Sequence, residues 1–163
     1  MPSFDVVSKV DWQEVRNAVN QVEKEVATRY DLKNANCKIE LDEKLFKIIL
    51  SSPDELNLGS VRELLSQRLA KRGVSLKSVK YEEPIKAGGD VLKQDVVIKQ
   101  GLCADELKRL TKVVKESKIK VTPSIQADQL RISGKKRDDL QSTIVTLKAS
   151  ASDLNLQFVN FRE

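Results

Sequence analysis

The chain contains no histidine, and only seven of its 163 residues are aromatic. Without imidazole it cannot form a Ser-His-Asp or Cys-His catalytic group, a histidine metal site or a histidine proton relay. An enzyme would have to use Asp, Glu, Lys or Tyr. The sequence shows no Walker-type glycine loop, no paired-carboxylate motif and no nucleophile constellation. It therefore predicts a protein that is not an enzyme and that carries no metal or other cofactor.

Cysteine and long hydrophobic runs are also scarce. Cys37 and Cys103 are the only cysteines, and neither belongs to a CxxC motif, so both are predicted to be packing residues. No apolar run approaches the length of a membrane span, and the start at Met1–Asp5 lacks the basic-then-apolar pattern of a signal peptide. We expect a cytoplasmic protein that does not bind membranes.

The net charge of +5 is unevenly distributed. Residues 1–84 carry 14 basic and 14 acidic residues, whereas residues 85–163 carry 15 basic and 10 acidic ones. The stretch from Lys108 to Arg137 holds 10 basic residues against Glu116 and Asp128. Such a positive field attracts polyanions without specifying which polyanion is bound.

Hydrophobic periodicity predicts the element order β-α-β-β-α-β twice. Asp11 is a predicted helix N-cap and Gly73 a predicted C-terminal helix stop. The segment 82–90, which contains Pro84 and a Gly-Gly pair, is predicted to be a linker or an exposed loop. The order indicates an α+β protein with two ferredoxin-like, RNP-like units, each a four-stranded antiparallel sheet with two helices on one face. Apart from a hairpin at 118–133, the predicted strands are defined by Phe4, Val6 and Val10; Cys37, Ile39 and Leu41; Phe46, Ile48 and Leu50; Val74, Leu76 and Val79; Leu92, Val96 and Ile98; and Leu156, Phe158 and Phe161.

The most basic stretch, Lys118 to Arg137, is predicted to form this hairpin and to continue into a helix. Alternation places Lys118 and Lys120 on the outer face of the first strand, which Pro123 is predicted to end. In the second strand Arg131 also takes the outer face. Basic side chains therefore line the outer face of both strands.

Gly134 is followed by Lys135, Lys136 and Arg137, immediately before the helix. A helix N-terminus offers free N–H groups, so a glycine followed by cations there is a candidate anion site. The alternative is a solvated charge run with the helix starting at Asp138. Both interpretations are open at this point.

RNA-recognition motifs bind RNA on the open sheet face by stacking bases on aromatic side chains of the two central strands. In the second predicted unit those strands offer Lys93, Gln94, Lys99 and Arg131, with no aromatic among them. Trp12, Phe46 and Phe158 are predicted to be core residues. Base stacking is thus disfavoured, whereas phosphate-directed binding is not.

Four segments together resemble the YajQ family of bacterial proteins. They are MPSFDVVSKVD at the start, RYDLKN at 29–34, KESKIKVTPSIQADQLRISGKKRDDLQ, and LQFVNFRE at the end, and the resemblance covers essentially the whole chain. One departure is Leu32-Lys33-Asn34, where the family more often has an aromatic residue and a glycine. If that turn helps to hold a base in the family, this chain lacks the aromatic residue on which the base would stack.

The resemblance implies a cytoplasmic, nucleotide- or nucleic-acid-binding protein, with cyclic di-GMP as the ligand in some relatives. It also implies that the two domains exchange their first strands. The domains would then be residues 11–101 and residues 1–10 with 102–163, instead of 1–84 and 85–163. Residues of the matching segments add Phe4, Arg29, Lys33 and Arg162 as further candidate contacts.

Two functions follow as expectations. The first is a nucleotide or nucleic-acid binding protein, with RNA such as tRNA among its ligands. The second is a cyclic di-GMP-responsive adaptor that acts through a protein partner. The predicted phosphate contacts are Lys118, Lys120, Arg131, Lys135, Lys136 and Arg137.

Overall fold

The computed structural model describes residues 1–163, which divide into two compact units. We call residues 10–99 the central unit, and residues 1–9 with 100–163 the terminal unit. Each is an antiparallel sheet with two helices, which confirms the predicted α+β, ferredoxin-like fold class. The strands are β1 (Ser3–Val7), β2 (Lys38–Asp42), β3 (Lys47–Ser52), β4 (Val79–Tyr81), β5 (Ile85–Lys86), β6 (Leu92–Ile98), β7 (Val121–Gln126), β8 (Gln129–Gly134) and β9 (Gln157–Arg162). The helices are α1 (Trp12–Thr28), α2 (Glu55–Lys71), α3 (Ala104–Glu116) and α4 (Arg137–Ser150).

The sheet of the central unit has the order β2-β3-β6-β4, and the short β5 pairs with β6. Helices α1 and α2 begin at Asp11 and Asp54, whose carboxylates accept hydrogen bonds from the N–H groups of Gln13 (3.1 Å) and Asn57 (2.8 Å). Alternate strand residues and the inner helix faces form one apolar core. Its fully buried members include Val15, Val22, Ile48, Leu50, Leu58, Leu65, Leu69 and Val96.

The sheet of the terminal unit has the order β7-β8-β1-β9, with every neighbouring pair antiparallel. Phe4 and Val6 of β1 lie opposite Ile132 and Leu130 of β8, and all four side chains are fully buried. They pack against the inner faces of α3 and α4. The helix residues of this core are Leu107, Leu110, Val114, Leu140, Ile144 and Leu147.

One inner strand of each sheet, β1 in the terminal unit and β6 in the central unit, is distant in sequence from at least one strand beside it. β1 lies between β8 and β9, so the first strand of the chain belongs to the sheet formed by residues 121–162. β6 lies between β3 and β4, so it belongs to the sheet formed by residues 38–81. β1 is not part of the sheet that contains β2 and β3.

Several predicted strand boundaries were wrong. β1 ends at Val7, so Val10 lies outside it. The predicted strand through Leu76 is a 3₁₀ turn at Leu76–Ser78, followed by β4. Pro123 does not end a strand: it lies within β7 opposite Ile132. β7 is an edge strand, where the missing proline N–H leaves no ladder hydrogen bond unmade.

Two further predictions need correction. The segment at 82–90 is mostly exposed, as the loop alternative predicted, but it contains β5, which pairs with the start of β6, and it lies within the central unit, so it is not a linker. Phe46 is not a core residue, because it is 46% exposed in the β2–β3 turn, where its ring contacts the edge of Trp12. None of the four helices is long and apolar enough to cross a lipid bilayer.

Candidate functional site

The predicted hairpin is present and leads directly into α4, but the prediction that Lys118 and Lys120 line its first strand was wrong, because β7 begins at Val121 and both lysines precede it. β7 and β8 are joined by the two-residue turn Ala127-Asp128, and β8 ends at Gly134. A Cβ on Gly134 would meet Val121 Cγ1 at 3.0 Å and the Lys120 carbonyl oxygen at 3.3 Å. A side chain at this position would press on β7, so the glycine eases the close approach of that strand. This packing also places Lys120 beside the residues that precede α4.

Helix α4 begins with Lys136 as the N-cap and Arg137 as the first helical residue. The sequence left open whether the cations belong to the helix start or precede a helix that begins at Asp138. In the structure Lys135 and Lys136 precede the first helical residue, whereas Arg137 belongs to the first turn. No side chain caps this end, in contrast to the aspartate caps of α1 and α2. No side-chain cap therefore competes with an anion at this end, although Asp138 and Asp139 place two carboxylates in the first turn.

The lysines around this helix start form no salt bridges. Lys118 and Lys120 lie in the turn between α3 and β7, and Lys135 and Lys136 lie between β8 and α4; all four are exposed. No carboxylate lies within 4 Å of their ammonium groups. We call these four residues, together with the uncapped end of α4, the lysine cluster.

A cleft of about 250 Å³ lies at the start of α4. Arg137 and Arg162 line it, and Arg137 forms an ion pair with Glu163. Phe161 also lines the cleft, is 57% exposed, and stacks on the buried ring of Phe4 with centroids 5.6 Å apart. Two candidate contacts, Arg137 and Arg162, therefore meet here, while Phe4 supports the cleft from the core.

Arg131 lies in a different setting, in the middle of the sheet face that the helices leave uncovered. Its Nε donates to Asp5 Oδ1 at 3.0 Å, and Asn160 Nδ2 donates to Asp5 Oδ2 at 2.7 Å. Asp5 is only 4% exposed. Burial raises the pKa of Asp5, but the hydrogen bonds from Arg131 and Asn160 outweigh it and hold that pKa below its ordinary value. Arg131 is thus held by a carboxylate, and its side chain remains 37% exposed.

The two candidates of the RYDLKN segment lie in the central unit, after α1. Arg29 pairs with Asp31 at 2.7 Å, and Lys33 Nζ lies 5.8 Å from the ring centroid of the exposed Tyr30. Leu32 is only 1% exposed and belongs to the core, so it offers no surface on which a base could stack.

The sequence analysis missed Phe161, Gln141, Ser3 and Glu163 as cleft residues. They come from both ends of the chain and from α4, and no local pattern brings them together. Phe158, by contrast, packs against the terminal core as predicted. Cys103 is not the predicted packing residue: it is exposed at the N-cap of α3.

Comparison with known proteins assigns the family. The model of the family described as "Nucleotide-binding protein YajQ-like" matches residues 2–162. A "Nucleotide-binding protein" of Desulfitobacterium hafniense is 46% identical over 160 residues, which cover 98% of this chain and 97% of that protein. A "Nucleotide-binding protein" of Heliobacterium modesticaldum is likewise 46% identical, over 98% of this chain and 96% of its own length. The resemblance inferred from the sequence motifs is thereby confirmed, and the chain belongs to the YajQ-like family.

Proposed function

We propose that the protein binds nucleotides or nucleic acid and that the lysine cluster of the terminal unit contacts their phosphates. The observation that carries the proposal is the uncapped start of α4 beside the unpaired Lys120, Lys135 and Lys136. N–H groups at a helix start and unpaired ammonium groups both favour an anion. The names of the relatives, which are nucleotide-binding proteins, support the same ligand class.

Nucleic acid fits the geometry better than an enclosed small ligand. Pockets that enclose small molecules typically measure roughly 300–1,000 Å³. The cleft beside α4 is smaller, at about 250 Å³, and the lysines lie on open surface. An extended polyanion can contact several exposed cations at once without being enclosed.

The cyclic di-GMP-responsive adaptor is the alternative, and the salt dependence of binding distinguishes the two. Contacts to many phosphates release counterions, so RNA affinity falls steeply with salt concentration. A single cyclic dinucleotide in a defined site would instead saturate at one molecule per chain, with a shallow salt dependence. Parallel titrations of single-stranded RNA, tRNA and cyclic di-GMP over a salt series measure the difference.

The central test of the proposal is the double variant Lys135→Gln, Lys136→Gln. We expect RNA affinity to fall at least tenfold, which corresponds to about 1.4 kcal/mol. The log–log salt slope should flatten by roughly one for each phosphate that the variant no longer binds. Neither lysine has a carboxylate partner, so the substitution leaves no orphaned acid.

The matched control is Lys44→Gln, Lys77→Gln in the central unit. Both lysines are exposed and form no salt bridge, so the control removes the same charge without breaking an interaction. Lys47 would be a poor control because it pairs with Asp95 at 3.2 Å. Equal, small decreases of affinity in the two double variants would show diffuse electrostatic attraction and refute a site at α4.

We also propose that the chain does not hydrolyse the nucleotides that it binds. It has no histidine and no phosphate-binding glycine loop, so no residue set supplies a phosphoryl-transfer site of a known kind. Incubation of highly purified protein with ATP or GTP should release no phosphate beyond the background. Multiple turnover that copurifies with the folded protein would contradict this proposal.

A further inference from the structure

A pocket of about 470 Å³ lies in the central unit, between the last two turns of α1 and the edge strand β2. Its volume is in the range of pockets that enclose small ligands. Val26, Ala27 and Ile39 line it, and Ala27 is exposed, so part of the pocket wall is apolar and suits a flat ring. It involves none of the residues of the lysine cluster or of the cleft beside α4.

The open edge of β2 adds a hydrogen-bonding pair to this apolar surface. Across β3 and β6, the Phe46 carbonyl accepts a hydrogen bond from Ile98 N–H, and on the other side of β6 Glu82 N–H donates to the Asp95 carbonyl. These two bonds show which residues of each strand direct their backbone groups to which neighbouring strand in the alternation of the antiparallel ladder. By that alternation Lys38 and Glu40 bond to β3, and the N–H and C=O of Ile39 face the open edge. An adjacent donor and acceptor complement the edge of a purine, which presents the same two types of group.

Charged side chains at the pocket suit the rest of a nucleotide. The exposed ammonium groups of Lys33 and Lys38 provide donors for a phosphate at the pocket mouth. The carboxylates of Glu23 and Glu40 can accept hydrogen bonds from ribose hydroxyls. The charged side chains Lys38 and Glu40 on β2 also oppose the addition of another protein strand, which leaves the edge available to a small molecule.

We propose that this pocket binds a purine nucleoside monophosphate, with the base between Val26, Ala27 and Ile39 and the phosphate at Lys33 and Lys38. The ligand class rests on the proposed function. The site lies in the central unit and is separate from the lysine cluster. It would bind one small molecule, whereas the lysine cluster would bind a polyanion.

The test is calorimetric titration of the full chain with AMP and GMP, using the variant Ala27→Phe to fill the pocket. Ala27 lines the pocket and is exposed in the last turn of α1, so a larger side chain there need not disturb the core. Ala70 is the matched control, because it is equally exposed in the last turn of α2 and does not line the pocket. We expect at least tenfold weaker binding in Ala27→Phe and unchanged binding in Ala70→Phe.

Two further measurements keep the test decisive if Ala27→Phe folds poorly. Lys33→Gln with Lys38→Gln should weaken AMP binding about tenfold and leave adenosine binding unchanged, because adenosine has no phosphate. Cys37 also lines the pocket, so bound AMP should slow its alkylation by iodoacetamide in the Cys103→Ser background. Unchanged Cys37 reactivity at saturating AMP would refute the site.

Failure of this inference is distinguishable from failure of the proposed function. No saturable binding at millimolar AMP or GMP, or equal binding by Ala27→Phe and Ala70→Phe, overturns the pocket and leaves RNA binding at the lysine cluster untouched. Binding of AMP that is abolished in Lys135→Gln, Lys136→Gln but kept in Ala27→Phe also overturns the pocket, and supports the lysine cluster. Loss of AMP binding in Ala27→Phe with retention in the lysine double variant supports the pocket.

Discussion

Asp5 is the residue that most constrains the open face of the terminal sheet. It is a carboxylate with 4% exposure in the middle strand, held by Arg131 on one side and Asn160 on the other. Asn160 has a φ of 58° where the pairing of β1 with β9 shifts register, a conformation that asparagine tolerates better than most residues. The irregularity thus coincides with the residue that donates a second hydrogen bond to Asp5.

We predict that Asp5→Asn destabilises the protein by about 1–3 kcal/mol at neutral pH, because a hydrogen bond to a buried charged group is removed. The pKa of Asp5 is lowered in the folded state, so its stabilisation is present above the ordinary value of 3.8 and is lost as the pH falls through the lower folded value. Urea unfolding of the two proteins should therefore differ at neutral pH and converge in acid. A difference that stays constant with pH would show that Asp5 acts only through packing.

Local patterns predicted some site residues and missed others for identifiable reasons. Lys118, Lys120, Lys135 and Lys136 are exposed as predicted, although Lys118 and Lys120 lie before β7 and not on its outer face. The sequence could not show that Arg131 would be held by Asp5, because the two residues are 126 positions apart. The same limit applies to Phe161, which lies near Phe4 only because β9 pairs with β1.

Among the elements, α4 combines a cationic N-cap with two carboxylates, Asp138 and Asp139, in its first turn. Lys136 occupies the N-cap without a side-chain hydrogen bond, and a cation at this end costs roughly 0.3–1 kcal/mol against the helix dipole. A residue that weakens the helix but would favour a bound anion is consistent with a functional role for this end.

We predict that Lys136→Ser raises the free energy of unfolding by about 1 kcal/mol, because serine supplies the missing cap. The same substitution should weaken RNA binding, because an ammonium group that binds phosphate is removed. Asp54→Ala at the start of α2 is the comparison variant, because it removes a cap where Lys136→Ser adds one. It should lower the free energy of unfolding by about 1 kcal/mol, since the hydrogen bond from Asn57 N–H is lost. Thermal unfolding and RNA titration of both variants measure the trade-off, and a Lys136→Ser protein with unchanged stability and unchanged RNA affinity would contradict it.

Element type was more predictable than element boundaries. The stripes of α1, α2, α3 and α4 follow the 3.6-residue period, so the sequence predicted all four helices. β5 escaped prediction because its two residues are too short to show alternation. The prediction that Pro123 ends a strand was wrong because proline is excluded only from inner strands. The sequence alone did not identify β7 as an edge strand.

For the whole molecule, strand partnership is the property that local sequence could not supply. Periodicity indicates that Phe4 and Val96 lie in buried strands, but not which sheet each strand joins. Exchange of the first strands came into the sequence analysis only through the resemblance. In the structure Phe4 lies opposite Ile132 in the terminal sheet, and Val96 lies opposite Ile48 in the central sheet.

We predict that Phe4→Ala and Val96→Ala weaken different units. Both side chains are fully buried in the middle strand of a sheet, and loss of the phenylalanine ring should cost about 3–5 kcal/mol. Amide hydrogen exchange, read residue by residue, should show faster exchange in β7, β8 and β9 for Phe4→Ala, and in β2, β3 and β4 for Val96→Ala. If Phe4→Ala instead accelerates exchange in β2 and β3 while β8 and β9 keep their protection, β1 pairs with the central sheet in solution and the strand order is wrong.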